Sequence, residues 1–349
     1  MALKFSTWAT STSGGFLRSG VEQVTDWSYE YNLALTRAAE AAGFFGVLFP
    51  TRYSAPHTQH SQTDGQLDPL TLAAAVAVQT HSIRLITAVL PGFVPPATMA
   101  KIGATLDHIS QGRWHINLVS GWFKQEQENL SIPWVDHEQR YKRSEEYLQV
   151  LQGLWQQENF SLEGQHYRIK NSTMRPSPSQ KPYPAIFQGG NSSDAQEMAG
   201  KYSDWYFING APVERLQQQI DAVNKVAHPL GRTVKFSVNA FVIARETEEQ
   251  ARAEYEEIIA AADESAIAQF REKASEAKGM WQSDASIDSF VANNEGLRTG
   301  LIGSYQQVAS RLRDIERAGI DMVLLSFRFP LEEIKDFQKN VINILESTP

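Results

Sequence analysis

The chain has 349 residues, a formal net charge of −8 and no cysteine. The acidic balance argues against nucleic-acid binding, which needs a clustered basic surface. The absence of cysteine excludes disulfides, thiolate nucleophiles and cysteine-bound metal sites. No apolar run reaches the roughly 18 residues of a membrane span, and the N-terminus lacks the pattern of a signal peptide. We therefore expect a cytoplasmic protein that does not associate with a membrane.

Short apolar runs of strand type alternate with helical patterns along the chain. Eight candidate strands are present, at 3–9, 45–50, 83–90, 113–119, 185–188, 203–208, 235–243 and 321–327. The clearest helical patterns cover 28–42, 137–155, 305–318 and 331–346, and Thr247 opens a further helix. This α/β alternation predicts a (β/α)8 TIM barrel that forms a single domain over residues 1–349. An open doubly wound sheet is the alternative, but no Gly-x-Gly-x-x-Gly follows the first strand.

Two insertions account for the length beyond the roughly 250 residues of a minimal barrel. The first lies near 156–184 and is predicted to be a small β-hairpin followed by a proline-rich return. The second lies near 263–300 and has few strand signals. That segment is either a mobile lid over the barrel mouth or an ordinary surface loop.

The segment from Arg113 to Glu126 is the most informative in the chain. It begins as an apolar strand with a polar Asn117 at its centre, then breaks at Ser120-Gly121 into a loop that holds Trp122. Polar and aromatic side chains at a strand end are typical of an active site at a barrel mouth. The alternative is a satisfied asparagine in a core strand, followed by an ordinary loop.

A glycine pair follows the fifth strand and leads directly into a helix. Gly189 and Gly190 allow close approach of the backbone to a ligand, and Ser192 or the next serine can cap the helix. Such a helix start is suited to a phosphate group. Arg140 and Tyr141, near the start of another helix, are candidates to grip the same group. The alternatives are a plain capped turn, a surface charge and a core aromatic.

The remaining polar residues do not indicate a metal site, a nucleophile or a catalytic acid–base pair. His57 and His60 lack a carboxylate cluster that would complete a metal site, so we expect no metal. There is no Gly-x-Ser-x-Gly nucleophile motif, and Asp136 with its neighbours is more typical of a helix cap than of acid–base machinery. Chemistry without a protein reagent usually belongs to a cofactor. A flat, phosphorylated cofactor such as FMN fits this pattern.

The chain resembles the bacterial luciferase-like, two-component flavin monooxygenases over essentially its whole length. Its closest resemblance is to the FMNH2-dependent dimethyl sulfone monooxygenases. The similarity is carried by several short motifs, among them Ser120-Gly-Trp-Phe-Lys, Arg140-Tyr-Lys-Arg-Ser-Glu-Glu, Phe187-Gln-Gly-Gly and Val238-Asn-Ala-Phe-Val-Ile-Ala-Arg. The resemblance implies that a separate NAD(P)H:flavin reductase delivers FMNH2, that O2 is a co-substrate, and that the enzyme is a dimer or a tetramer.

The resemblance also assigns contacts to the flavin. Thr51 and Arg52 would line it after the second strand, and Asn117 and Glu126 would contact the ring and ribityl region. The phosphate end would be held by Arg140, Tyr141 and Ser192, beside Gly189 and Gly190.

The substrate pocket is predicted by comparison with the related alkanesulfonate enzymes. Their cationic substrate ligands correspond to Asn239, Phe241 and Asn294 in this chain, with Trp122 as a further pocket wall. A desolvated sulfonate without cationic partners would cost several kcal/mol. The neutral residues therefore predict a small neutral organosulfur substrate, such as dimethyl sulfone, which would be cleaved to methanesulfinate and formaldehyde.

Arg328 leaves an alternative open. If Arg328 points into the pocket, it restores a cation and an anionic substrate; if it points outward, which we favour, it is a surface charge. The other functions considered are an alkanesulfonate (methanesulfonate) monooxygenase, a pyrimidine- or amide-type flavin monooxygenase, and a flavin-binding protein without enzymatic activity.

Overall fold

Eight parallel strands close into a barrel in the computed structural model, which describes residues 3–10, 15–54, 65–274 and 287–347. In chain order the barrel strands are β1 Lys4–Trp8, β2 Gly46–Phe49, β3 Arg84–Val89, β4 Trp114–Leu118, β5 Ile186–Gly189, β6 Trp205–Ile208, β7 Lys235–Phe241 and β8 Met322–Ser326. Each strand pairs with its neighbour in this order, and β8 pairs with β1 to close the ring. The predicted TIM barrel and all eight predicted strands are confirmed.

Helices surround the barrel and cover its upper rim. Their bounds are α1 Tyr29–Ala41, α2 Pro69–Ala77, α3 Pro96–Ile109, α4 Lys124–Asn129, α5 His137–Gln156, α6 Ser193–Tyr202, α7 Val213–Ala227, α8 Glu248–Ala260, α9 Glu264–Ala274, α10 Ile287–Val291, α11 Tyr305–Arg317, α12 Pro330–Phe337 and α13 Asn343–Ser347. Short 3-10 helices span His228–Leu230 and Asn293–Thr299, and a π-helical turn spans Gln338–Ile342. The predicted C-terminal helix over 331–346 is therefore interrupted by this turn.

The barrel interior is packed and is not a pore. Leu48, Ile86, Phe187, Trp205 and Leu324 belong to one buried apolar cluster. The rings of Phe187 and Trp205, on adjacent strands, stack with centroids 5.3 Å apart. This packing is the usual filling of an eight-stranded barrel, and it leaves the carboxyl ends of the strands as the place for a site.

Helix caps explain where several helices begin. Asp136 accepts a hydrogen bond from the amide of Gln139 at the start of α5, as its capping interpretation predicts. Thr247 and Gln250 form a reciprocal capping box at the start of α8. These side chains satisfy backbone amides that have no partner within the helix.

The first insertion folds as predicted into a β-hairpin, in which Phe160–Glu163 pairs antiparallel with Arg168–Ser172. The predicted strand 235–243 is too long, because β7 ends at Phe241. Beyond it the amide of Ile243 donates to the carbonyl of Leu301 at 2.9 Å. Residues Ile243–Arg245 then form a separate parallel pair with Ile302–Ser304, which the sequence analysis did not foresee.

Candidate active site

A cavity of about 640 Å³ lies at the carboxyl ends of the barrel strands. Its walls include residues at or just beyond the ends of five strands: Trp8, Pro50, Leu90, Asn117 and Ser326. This volume falls in the range of small-molecule and cofactor sites. The position matches the mouth of the barrel at which the strand-end residues were expected to converge.

Two segments cover the cavity. The chain after β1, from Gly15 to Thr25, contributes one side, and α9 contributes the other through Ala266, Gln269 and Phe270. The two segments are joined where the amide of Asp263 donates to the carbonyl of Arg18 at 3.0 Å. The second insertion therefore lies over the barrel mouth through α9. Its residues 275–286, like His57 and His60, lie outside the described residues.

Asn117 presents an unpartnered acceptor at the cavity. The residue is 6% exposed, and its side-chain oxygen has no hydrogen-bond partner among the residues that the structure describes. A buried polar atom without a partner costs about 1–3 kcal/mol, so the Asn117 side chain is suited to a ligand with a hydrogen-bond donor.

Glu126 lies behind the cavity and not on its wall. One carboxylate oxygen accepts hydrogen bonds from the amides of Tyr53 and Ser54, at 2.8 and 3.1 Å. The other oxygen lies 3.9 Å from the guanidinium of Arg52. Arg52 itself lines the cavity and stacks over the ring of Trp122, 4.3 Å from its centroid. The geometry makes Glu126 a support for the loop after β2.

The residues predicted to hold a phosphate gather at the ends of β4 and β5. Ser192 caps α6 by accepting from the amide of Ala195 at 3.2 Å. Gly190 has a left-handed φ of 138°, and a methyl group added there would lie 3.1 Å from the phenol oxygen of Tyr141. Burial raises the pKa of Tyr141, and a hydrogen bond with Ser192 partly offsets that rise, so the phenol stays a donor.

Arg140 borders the same corner. Its guanidinium stacks 4.0 Å from the ring centroid of Trp134 and donates to the carbonyl of Val135 at 2.8 Å. Gly189, the last residue of β5, faces Phe207 on the neighbouring strand, 3.5 Å from the position of an added methyl group. The structure thus brings Tyr141, Gly190 and Ser192 together, with Arg140 preceding Tyr141 in α5, and none of the four residues is part of the cavity wall.

Asn239 has a structural role in the described chain. Its side-chain oxygen accepts from the indole of Trp8 at 2.6 Å, and its amide nitrogen donates to the carbonyls of Asn293 and Asn294 at 3.1 and 3.3 Å. These contacts occupy the polar side-chain atoms of Asn239, which is not part of the cavity wall, so they do not support its predicted place in the substrate pocket. Phe241 is fully buried in a separate apolar cluster with Phe16, and it does not line the cavity either.

Asn294 does line the cavity, on a strained turn. Asn294 and Glu295 both adopt left-handed backbone angles, with φ of 50° and 56°. The amide of Gly210 donates to the carbonyl of Asn294 at 2.9 Å, and Arg298 pairs with the Glu295 carboxylate at 2.7 Å. Non-glycine residues in this conformation cost energy and concentrate at functional sites, so these contacts hold Asn294 at the cavity against that cost.

Arg328 is held away from the cavity. Its guanidinium donates to the carbonyl of Glu22 at 2.5 Å and lies 3.0 Å from the carboxylate of Glu257 and 3.8 Å from that of Glu254. It is absent from the cavity wall. The outward orientation that we favoured for Arg328 agrees with these contacts, which tie the loop after β1 to α8.

The cavity also contains cationic residues that the sequence analysis missed. Arg18 and Lys273 line it together with Arg52. The available signal was weak: Arg18 lies in the loop after β1, and Lys273 lies in the insertion considered as a lid. Within the described ranges, no group of three or more histidine or acidic side chains could hold a metal ion. No helix there is long and apolar enough to cross a membrane.

A family model for luciferase-like monooxygenases matches residues 3–322. The chain belongs to the luciferase-like monooxygenase family. It is 40% identical over 350 residues to an FMNH2-dependent dimethylsulfone monooxygenase of Pseudomonas putida, a match that covers 98% of this chain and 95% of that protein. A protein of the same name from Pseudomonas fluorescens Pf0-1 is 39% identical over 351 residues, with 99% and 94% covered.

Solved structures of luciferase-like fold are also similar to this chain. DmoA from Hyphomicrobium sulfonivorans has a TM-score of 0.83 at 19% identity, with 99% of this chain and 88% of that one covered. A riboflavin lyase, solved with modified FMN and riboflavin, has a TM-score of 0.82 at 20% identity, with 99% and 92% covered. At these identities the likeness concerns the fold alone. The family resemblance expected from the sequence motifs is confirmed.

Proposed function

We propose that this luciferase-like monooxygenase is a two-component, FMNH2-dependent enzyme that cleaves a C–S bond of dimethyl sulfone. With O2, the reaction yields methanesulfinate, formaldehyde, oxidised FMN and water. The observation that carries the proposal is the buried, unpartnered side-chain oxygen of Asn117 in the wall of a cofactor-sized cavity at the barrel mouth. Relatives with about 40% identity over nearly the whole chain carry this activity in their names.

The described residues fit FMN at both ends. Thr51 and Asn117 would accept hydrogen bonds from the ring or ribityl donors, and Arg52 would lie along the same wall. A phosphate would lie near the start of α6, where the backbone amides of the first helical turn and the phenol of Tyr141 provide donors. Arg140 adds a cation at that corner. When bound, reduced FMN would supply the electrons that activate O2.

The protein would orient the flavin and the substrate and would exclude water from the cavity. Trp8 and Trp122 present ring surfaces to the cavity, and Phe270 of α9 covers it. Excluding water protects a reactive cofactor from side reactions. Asn294 is the polar side chain best placed to orient a sulfone oxygen, because the strained turn fixes its backbone at the cavity wall.

The proposal includes an NAD(P)H:flavin reductase in the cytoplasm as the source of FMNH2. It also includes a homo-oligomer, dimer or tetramer, whose size light scattering would measure. The apolar face of α2 packs within the same chain, so it does not support that oligomer. Leu72, Ala73 and Val76 are buried against the barrel core of the same chain.

A coupled assay tests the function. Purified protein, a flavin reductase, NADH, FMN and O2 are combined with dimethyl sulfone, and formaldehyde is measured. We expect formaldehyde that depends on both protein and sulfone. Formaldehyde from methanesulfonate alone would favour the alkanesulfonate alternative, and FMNH2 binding without any product would favour a non-enzymatic flavin protein.

A further inference from the structure

Three cations share one wall of the cavity. Arg18, Arg52 and Lys273 all line it, although the chain as a whole carries a net charge of −8. They come from three separate parts of the chain: the loop after β1, the loop after β2, and α9. Their convergence therefore exists only in the folded protein.

An aromatic cluster of Trp122, Phe123 and Phe270 brings the cations together. The Arg52 guanidinium lies 4.3 Å from the ring centroid of Trp122. The Lys273 ammonium lies 5.6 Å from that of Phe123. Trp122 packs against both phenyl rings, with centroids 5.7 Å from Phe123 and 5.8 Å from Phe270. Arg18 stacks on Phe270 at 3.7 Å.

Burial and the repulsion between the cations both lower the pKa values of Arg18 and Lys273. Burial and the charge of Arg52 together lower the pKa of Arg18 to about 9. The same two causes, in the same order, lower the pKa of Lys273, and the carboxylate of the neighbouring Glu272 offsets them only in part. Placing like charges at one desolvated wall is unfavourable unless an opposite charge offsets it.

The described residues compensate these charges incompletely. Glu126 lies 3.9 Å from Arg52, but its other oxygen is engaged by backbone amides. Glu22 and Asp263 also line the cavity. Among the described residues, no carboxylate lies within ion-pair distance of Arg18 or Lys273, and the side chain of Asp263 accepts from the amide of Ala266 at 2.9 Å.

Some N–H donors of Arg18 already have hydrogen-bond partners in the protein. Arg18 donates to the carbonyl of Phe290 at 2.7 Å and to the side chain of Asn293 at 2.8 Å. Those contacts fix its guanidinium beside Phe270. The ammonium of Lys273 and the remaining N–H groups of Arg52 are therefore the donors best placed for a ligand.

We propose that Arg52 and Lys273, with Arg18 behind them, form an anion subsite that binds the sulfinate product. This inference rests on the proposed function. In that reaction a C–S bond of the neutral sulfone breaks, and the sulfur leaves as methanesulfinate, with the carbon released as formaldehyde. A negative charge thus appears only on the product side, so the subsite would retain product and make methanesulfinate a competitive inhibitor.

The test measures binding directly. Methanesulfinate is titrated by calorimetry into protein with and without oxidised FMN, and dimethyl sulfone serves as the neutral comparison. We expect saturable binding of the sulfinate in the presence of FMN, weakened at least tenfold in Lys273→Met. Arg271→Gln is the matched control, because it removes a cation from the same helix at a position that does not line the cavity. Its affinity should equal that of the wild type.

Three results would overturn the subsite. Equal sulfinate affinity in wild type and Lys273→Met would show that the cations do not bind it. Binding that disappears once FMN is present would show that the flavin itself fills the cationic wall. Turnover of methanesulfonate to formaldehyde, with loss of that turnover in Lys273→Met, would make the wall a substrate site. Formaldehyde release from dimethyl sulfone tests the proposed function separately, since it does not require product retention.

Discussion

At the scale of single residues, the site divides between acceptors at the cavity wall and donors at the helix start. Asn117 presents an unpartnered oxygen at the wall, whereas Tyr141 and Ser192 meet at Gly190. If FMN extends from the cavity wall to the helix start, the wall should contact its ring or ribityl chain, and the donors at the helix start should contact its phosphate. Comparing FMN with riboflavin, which lacks the phosphate, separates the two contributions.

Replacing Asn117 with leucine removes the unpartnered acceptor while approximately keeping the side-chain volume. We expect the dissociation constants of both FMN and riboflavin to rise roughly tenfold, as the loss of one hydrogen bond of about 1–1.5 kcal/mol predicts. The melting temperature of the flavin-free protein should stay the same or rise, because the variant no longer buries an unsatisfied oxygen. Fluorescence titration and thermal unfolding measure the two effects. A stable variant with unchanged flavin affinity would contradict the role of Asn117.

Replacing Tyr141 with phenylalanine removes only the phenol oxygen. We expect weaker binding of FMN, by roughly tenfold, with riboflavin affinity unchanged, because only FMN has a phosphate to contact. Fluorescence titration of both flavins provides the measurement. An equal loss for the two flavins would place the phosphate elsewhere.

At the scale of secondary-structure elements, the sequence predicted the strands well and the cover of the cavity poorly. The barrel strands are short apolar runs buried on both faces, such as Trp114–Leu118, and such runs are distinct from amphipathic helices. The pair Ile243–Arg245 and Ile302–Ser304 was missed because its strands are three residues long and lie far apart in sequence. Asn239 and Phe241 were assigned to the pocket by comparison with the alkanesulfonate enzymes, but their orientation depends on contacts with Trp8 and Phe16 that this comparison does not specify.

Glu40 links α1 to the turn before β3. One carboxylate oxygen accepts from the amides of His81, Ser82 and Ile83, at 2.8, 2.6 and 3.0 Å. Burial alone would raise the pKa of Glu40, but these hydrogen bonds outweigh it and lower the pKa from 4.5 to about 2. Because the folded-state pKa is depressed, the stabilisation is fully present above pH 4.5 and is lost as the pH falls towards 2.

The matched variant Glu40→Gln tests this linkage. Near neutral pH we expect its free energy of unfolding to be lower than that of the wild type by about 1–2 kcal/mol, a value discounted for the partial exposure of the carboxylate. The difference should shrink as the pH is lowered through the acid range. Urea unfolding at several pH values measures it. A difference that does not change with pH would show that the carboxylate charge contributes nothing.

At the scale of the whole molecule, a packed barrel positions a covered cavity whose charge differs from the sequence-based expectation. The motifs predicted the family and the place of the site. The neutrality of the pocket was inferred from Asn239, Phe241 and Asn294, of which only Asn294 lines the cavity. The cations at Arg18 and Lys273 were missed because the loop after β1 and helix α9 are far apart in sequence and converge only in the folded chain. The neutral substrate is therefore compatible with a cationic wall if that wall serves the product.

A single-turnover experiment can show whether FMNH2 bound to this protein oxidises dimethyl sulfone. FMN is reduced anaerobically and bound to the protein without any reductase. The complex is then mixed with dimethyl sulfone in oxygenated buffer. We expect formaldehyde and methanesulfinate, each in an amount that approaches the amount of bound FMNH2. Neither product should form when the protein is omitted. Oxidation of the flavin to hydrogen peroxide alone, with the sulfone recovered intact, would contradict this expectation.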